Sequence, residues 1–345
     1  MTKVYVGMSG GVDSSLTAAL LKEQGYDVTG VYMKNWTQDL PGMKCPWADD
    51  LADAKRVAVQ LGIDFKVFDF ENEYKQKVVD YMIDEYKLGR TPNPDIMCNQ
   101  EVKFKLFLET SLEDGADMIA TGHYARVENG VLQQAVDTNK DQTYFLYRVT
   151  GEALSKTLFP LGEFTKPVVR EMAKERGLYT AAKKDSQGIC FVGQIGIREF
   201  LSQYVQQEAG SIIDKRTNKV LGQHDGAIFY TIGQRHGLDL GGGFPYYVVG
   251  KDMDKNEVYV TTDLNDENLW KPELSLTAVH WINEAPSEGV YQIRVRHRAQ
   301  LVNATLKFNG DETSLTLDNA ERAVAAGQSV VIYDGNICLG GGIIA

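Results

Sequence analysis

The chain opens on a compact apolar run from Lys3 to Met8 (KVYVGM), closed by Ser9-Gly10-Gly11. From Asp13 to Leu21 the apolar residues fall at helical spacing, and that pattern ends near Gly25. Val28 to Met33 repeats the strand pattern, residues 48–61 repeat the helical one up to Gly62, and Phe65 to Phe68 is a third strand. Over 72–88, Val78, Val79, Met82, Ile83 and Tyr86 lie three to four apart, as on one face of a helix. A further helix fits 100–113, a strand fits Met118 to Ala120, and helices fit 165–176 and 196–206. Strands alternating with helices predict βαβ units and a parallel sheet covered on both faces.

The period changes near residue 208. Ala227 to Tyr230, Tyr246 to Val249, Glu257 to Val260, Tyr291 to Val295, Ala304 to Phe308 and Val330 to Tyr333 read as short strands. Turn signals such as Asp334-Gly335-Asn336 separate them. The pattern divides the chain into an α/β domain over 1–208, a small β-rich central domain over 209–272 and a C-terminal β-barrel over 273–345. The acidic stretch 263–273 serves as the linker between the last two.

Composition narrows the class. The 345 residues are 43% hydrophobic and 24% charged, enough for two or three folded domains and unlike a disordered chain. No apolar run approaches the roughly 20 residues that cross a bilayer, so no membrane partner is expected. The opening MTKVYVGMSGG reads as a strand rather than a leader. Acids outnumber bases 47 to 36, a formal charge of −11, which excludes a generally basic nucleic-acid coat. It leaves room for a local basic face. Residues 291–308 hold Arg294, Arg296, Arg298 and Lys307 and no acid, and in a strand 294, 296 and 298 would share one face. Such a row suits phosphate contacts. A second cluster runs from Lys166 through Arg170, Lys174 and Arg176 to Lys183-Lys184, tempered by Glu171 and Glu175. The four cysteines, Cys45, Cys98, Cys190 and Cys338, form no CxxC pair, which argues against a zinc ribbon or a disulfide framework and for the reducing cytoplasm. No metal-ligating cluster of side chains is expected.

The loop Ser9-Gly10-Gly11-Val12-Asp13-Ser14-Ser15 joins the first strand to the first helix. Its glycines let the backbone approach an anion, and amides at the helix start together with the serine hydroxyls can hold phosphate oxygens. It lacks the Lys of the kinase and GTPase loop. A glycine turn with an Asp/Ser cap is the plain structural alternative. The SGGxDSS string resembles the loop of ATP pyrophosphatases, which cleave ATP to AMP and pyrophosphate. A Mg²⁺ there would offset the charge of Asp13.

Two cysteines sit in settings that favour a thiolate. In Gly89-Arg90-Thr91-Pro92-Asn93-Pro94-Asp95-Ile96-Met97-Cys98-Asn99 two prolines stiffen the loop, and Asp95 is expected to cap a helix beginning at Ile96. Cys98 then falls in its first turn, where the positive helix end would lower a thiol pKa. Cys190 follows Lys183-Lys184 in the Gly-flanked loop Lys183-Lys184-Asp185-Ser186-Gln187-Gly188-Ile189-Cys190. A buried structural cysteine is the alternative at both positions. Cys45 has no such setting, Cys338 reads as core, and His123 is open between a role beside the nucleotide and a core position.

Taken in order, seven strings carry one resemblance: Gly7-Met8-Ser9-Gly10-Gly11-Val12-Asp13-Ser14, Met33-Lys34-Asn35-Trp36, Gly89 through Asn99, Ala120-Thr121-Gly122-His123-Tyr124, Lys140-Asp141-Gln142-Thr143-Tyr144-Phe145-Leu146, Lys184 through Phe191, and Cys338 through Ile344. The chain resembles the tRNA-specific 2-thiouridylase family along nearly its whole length. Segments 38–47 and 239–245 are compact for the family. The resemblance implies an α/β domain of the adenine-nucleotide α-hydrolase type, ATP and Mg²⁺ as cofactors, and tRNA as substrate. It implies Cys190 as carrier of a persulfide, Cys98 as the nucleophile that helps release the sulfur through a Cys98–Cys190 disulfide or equivalent, and Asp95 for proton transfer. By the same resemblance ATP is held by Gly7, Met8, Ser9, Gly10, Gly11, Val12, Asp13, Ser14, Met33 and Gly122. Asn93, Pro94 and Asp95 meet the target base, and Lys140, Asp141, Gln142, Arg296 and His297 contact tRNA. The family modifies the wobble uridine of Lys, Glu and Gln tRNAs, with sulfur from a cysteine desulfurase or a carrier protein. A monomer is expected. Another ATP pyrophosphatase and a tRNA-binding protein with a relic nucleotide site are the competing readings. The thiol pair and the intact loop count against them.

Overall fold

The computed structural model describes residues 1–39, 45–184, 196–241, 243–310 and 312–345. The N-terminal part is a parallel sheet of β1 (Lys3–Gly7), β2 (Asp27–Lys34), β3 (Asp64–Asp69), β4 (Met118–Ala120) and β7 (Thr157–Leu158), in the order β3-β2-β1-β4-β7. Between β4 and β7 the short strands β5 (Arg126–Glu128) and β6 (Val131–Gln133) form a hairpin. β1 is buried on both faces, as a central parallel strand must be. Val4 and Val6 point to a core shared with Ala18, Leu21 and Val57, while Tyr5 points to one built on Val78, Met82 and Phe107. The chain switches direction across the sheet between β1 and β4, the point at whose carboxyl strand ends open α/β sheets bind ligands.

Helix Val12–Glu23 follows β1, and Trp47–Leu61 ends at Gly62 in the left-handed conformation. The helix expected over 72–88 runs over 71–87 with a π-helical middle, Lys75–Asp80. The helix expected over 100–113 begins six residues earlier and runs over 94–113 through a second π-helical stretch, Cys98–Leu106. Its cap is Asn93, whose Oδ1 accepts from the amides of Asp95 (3.1 Å) and Ile96 (3.4 Å), with Pro94 in the first helical position. Asp95 is therefore not the cap. The reason is local: Pro94 lacks the N–H that the turn leaves unpaired, so the helix starts there. Helix Lys166–Glu175 lies where expected, whereas the one expected over 196–206 is only Ile197–Leu201.

Beyond residue 208 the described chain is β-structure with short 3₁₀ turns. The central sheet orders β8 (Gly210–Asp214), β9 (Val220–His224), β10 (Tyr247–Asp252) and β11 (Glu257–Thr261) as β10-β11-β8-β9, around Ile212, Val248, Val258 and Val260. Ala227 to Tyr230, expected as a strand, is a 3₁₀ turn over Ala227–Phe229, with Ala227 and Tyr230 filling the same core. The barrel closes through β12 (Trp270–Trp281), β15 (Glu312–Arg322), β14 (Val302–Asn309), β13 (Gly289–Arg294), β16 (Ser329–Asp334) and β17 (Ile337–Ile344), with β12 pairing back onto β17. Its first strand begins inside the acidic stretch expected as linker. β6 pairs with β17 at Gln133 and Ile337, so the α/β domain's hairpin extends the barrel sheet.

The expected basic row does not form. β13 ends at Arg294, and Arg298 turns away with φ +63°. Arg294 points inward to Asp141, at 3.3 Å, with the Asp141 side chain 1% exposed. Asp141 also accepts from the Ala135 amide (3.0 Å) and the Thr143 hydroxyl (2.7 Å), and Arg294 lies over the Tyr333 ring. Burial raises the Asp141 carboxyl, with the Thr143 hydroxyl, the Ala135 amide and Arg294 opposing it. Asp141, expected at the tRNA surface, is thus an interior residue joining two domains.

Removing one partner leaves a buried charge alone. Asp141→Ala should cost about 3–5 kcal/mol in chemical denaturation, while Asp141→Leu with Arg294→Met should cost clearly less. Equal losses in the single and double variants would show that the pair is not the source.

Candidate active site

The site starts at the loop after β1. The Met8 amide continues the ladder to the Val31 carbonyl (2.8 Å), and the Met8 side chain is core at 1% exposure, so only its backbone can meet a ligand. Gly10 takes φ +72° and sets the amides of the loop ahead of the helix N-terminus. The hydroxyls of Ser14 and Ser15 turn back to the Gly11 carbonyl (3.2 and 2.7 Å), and the Ser9 amide donates to Ser14 Oγ (3.2 Å). Ser9 is exposed, its hydroxyl 3.4 Å from that of Ser14. Gly122, just past β4, closes the cradle's other wall. A Cβ there would lie 2.8 Å from the Ser14 nitrogen, so only glycine lets the two loops meet. Met33, at the end of β2, lies against Gly7. The loop after β1, Gly122 and Met33 thus lie together at the carboxyl ends of β1, β4 and β2, where the glycines and the helix N-terminus suit a phosphate chain.

The structure adds partners to Asp13. Lys166 Nζ meets both carboxylate oxygens at 2.8 Å, and the Tyr124 hydroxyl donates to Oδ1 at 2.9 Å. Lys166 is 8% exposed. Lys166 is expected within a basic cluster, and three of that cluster's cations are instead engaged by acids. Lys183 bridges Asp50 (2.8 Å) and Asp53 (2.7 Å), and Arg176 holds Glu23. Nothing local in the sequence pairs Lys166 with a residue 153 positions away.

Segment 141–147 ties this loop to the thiol. Gln142 exchanges two hydrogen bonds with the Tyr124 backbone, each 2.9 Å, so its side chain supports the loop. Asn99 Nδ2 donates to the Phe145 carbonyl at 3.1 Å. Tyr144 donates to the carbonyls of Ser329 and Val295, and the Phe145 ring lies 4.5 Å from that of His297. Arg298 donates to the Asn139 carbonyl, and Arg296 to the Arg322 carbonyl. Burial together with Arg298, Arg294 and Lys140 pushes His297 down to about 4, which marks the surroundings as electropositive. Lys140 thus lies near enough for its charge to act on His297, next in the chain to Arg296, while Gln142 is turned to the Tyr124 backbone and no strand row forms.

Cys98 is a free thiol, 6% exposed, beside Asp95 on the same helix. Burial pushes the thiol up, Lys103 opposes, and the Asp95 charge adds to the rise. Burial likewise raises the Asp95 carboxyl, with Lys103 opposing. The expected lowering by the helix end is overturned because desolvation at this depth outweighs a helix dipole. Cys98 and Lys103 are five apart within the π-helical stretch, whose i to i+5 repeat sets them a turn apart. His123 Nδ1 meets Thr121 Oγ1 at 2.7 Å between Phe104 and Phe159, and burial holds it well below the usual range. It is a core-packed, neutral histidine. Cys338 is buried in the barrel wall, as expected. Cys190, most of its motif and any bond between Cys98 and Cys190 lie outside the described residues.

Residues 2–194 match the family model for the tRNA methyl transferase HUP domain, 198–262 that for the tRNA methyl transferase PRC-barrel domain, and 271–344 that for the aminomethyltransferase beta-barrel domain. Fold and loop thus define a nucleotide-handling α/β enzyme with two appended β domains. The tRNA-specific 2-thiouridylase MnmA of Bacillus velezensis is 48% identical over 352 residues, covering 99% of this chain and 95% of that protein. That of Bacillus subtilis is 47% identical with the same coverage. The chain belongs to the tRNA-specific 2-thiouridylase family.

The buried thiol makes a measurable prediction. Alkylation of Cys98 in the free enzyme should have its pH midpoint above that of free cysteine, and Lys103→Met should move it further up. A midpoint below free cysteine would show that the helix end, not burial, governs this thiol.

Proposed function

We propose that this chain is an ATP-dependent tRNA sulfurtransferase that converts the wobble uridine to 2-thiouridine. The observation that carries the reading is the continuous contact from the phosphate-type loop at Asp13, through Tyr124, Gln142 and Phe145, to the helix bearing Asp95 and Cys98. It makes one site of a nucleotide loop and a thiol.

The uracil C2 oxygen is a poor leaving group. Adenylation by ATP, with loss of pyrophosphate, converts it into AMP, which departs readily. The loop residues 7–14, Met33 and Gly122 would hold the nucleotide, and the glycine walls fit its phosphates. Asp13 is engaged by Lys166, so a Mg²⁺ bound with those phosphates would share or displace that partner. ATP supplies the activation, and this chain's residues do the rest. Asn93, Pro94 and Asp95 present the base, and Asp95, its carboxyl raised by burial, exchanges the proton. The terminal sulfur of the Cys190 persulfide attacks C2 and AMP leaves. The Cys98 thiolate then attacks the Cys190 sulfur, the persulfide S–S bond breaks, and its electron pair stays with the thiocarbonyl sulfur. A Cys98–Cys190 disulfide remains, which an external thiol reduces. Lys140, Arg296 and His297 hold the tRNA, with Gln142 backing them.

The tRNAs would be the Lys, Glu and Gln isoacceptors, and the sulfur would come from a cysteine desulfurase or a carrier protein, acting on a cytoplasmic monomer. The 1–208, 209–272 and 273–345 segments would divide the labour as catalytic, central and tRNA-contacting domains. Among the described residues no helix is long and apolar enough to cross a membrane.

Mass spectrometry of tRNA incubated with the enzyme, ATP, Mg²⁺ and a sulfur donor should show sulfur-for-oxygen exchange at one uridine. Cys190→Ser should abolish it while ATP binding persists. Thiolation surviving in Cys190→Ser would remove the persulfide step, and no exchange with wild-type enzyme would remove the whole reading.

A further inference from the structure

The loop ahead of Asn93 meets both β domains at once. The Thr91 amide donates to the Ala326 carbonyl of the barrel at 2.8 Å. Its hydroxyl lies 3.3 Å from that of Thr231 in the central domain. A Cβ on Gly327 would lie 2.8 Å from both the Arg90 Cβ and the Thr91 nitrogen, and φ there is +89°. Gly89 packs on Met253. The barrel turn is itself braced. Gly327 donates to the Ile344 carbonyl (2.9 Å), the Ala325 amide to Gln328 Oε1 (3.0 Å), and the Ala323 amide to the Leu269 carbonyl (2.7 Å). The same turn begins at Arg322, whose carbonyl accepts from Arg296 at 2.7 Å. A short, hydrogen-bonded path therefore runs from Arg296 on the basic face, through turn 322–327, to Thr91. Two residues further on is Asn93, the cap of the Cys98 helix.

We propose that barrel turn 323–327 and Thr231 are positioning residues for the target-base loop, fixing Asn93–Asp95 at a set distance from the tRNA held near Arg296. This rests on the reading that Asn93–Asp95 meet the target base. The β domains then act as a ruler as well as a grip. A bound tRNA presents its base to a loop that is already placed, so part of the ordering cost is met before binding.

The test uses the full chain carrying Gly327→Val, with Thr231→Val as the milder variant and Thr231→Ser as the one that keeps the hydroxyl. Expected in Gly327→Val are faster amide exchange confined to residues 89–98, a fall of about tenfold or more in thiolation kcat, and tRNA and ATP Kd values within about twofold of wild type. Thr231→Val should lose several-fold in kcat, and Thr231→Ser should recover it. Unchanged exchange at 89–98 in both Gly327→Val and Thr231→Val overturns the proposal whatever the activity does. So does a loosened loop with unchanged kcat, or a loss confined to tRNA Kd. Exchange rising equally through the barrel strands also overturns it, since that is a general loss of fold. Asn93→Ala separates the two readings. If it thiolates like wild type while Gly327→Val loosens the loop and lowers kcat, the base-contact reading fails and the turn still positions the Cys98 helix.

Discussion

The buried pair of Asp141 and Arg294 is the contact on which the rest of the site depends. Two charges removed from water are tolerable only when each satisfies the other and the surrounding donors complete the set. Asp141 takes Arg294, the Thr143 hydroxyl and the Ala135 amide, while the Tyr333 ring covers the guanidinium. Because Asp141 belongs to the α/β domain and Arg294 to the barrel, their pairing ties the barrel to that domain. That docking fixes segment 141–147, and from it follow the support of Tyr124 behind Asp13, the hold on Asn99 beside Cys98, and the approach of Phe145 to His297.

The same segment explains how a negatively charged protein keeps a basic face. Several of its cations are engaged by acids of the same chain: Lys166 by Asp13, Lys183 by Asp50 and Asp53, Arg176 by Glu23, Arg294 by Asp141. Those around His297 come from different domains, and they add to the burial that pushes its imidazole down to about 4. A face assembled this way exists only when the domains are together. It differs from a charged strand, which would attract any polyanion.

Cys98 shows a related economy of placement. A thiol buried this deeply is poorly reactive in the free enzyme, and the nearby Lys103 only partly offsets the burial. Burial disfavours the thiolate, the form that attacks and oxidises. The π-helical stretch that begins at Cys98 is part of this arrangement, because its wider turn sets Lys103 beside the thiol.

By itself the sequence determined the alternation of strands and helices, the change to β-structure near residue 208, the phosphate-type loop and the two cysteine motifs. These depend on periods of two and 3.6 residues and on glycine and proline positions, all of which are local. Local reading failed at Asn93, where proline moved the helix start, and at 227–230, where core burial looked like a strand. Only the tertiary structure decided the fates of Asp141, Lys166 and Cys98. Asp141 and Lys166 are each 153 residues from the partner that defines them, and Cys98 is governed by burial. Desolvation and ion pairing are properties of the packed surroundings, so no pattern within one segment can announce them.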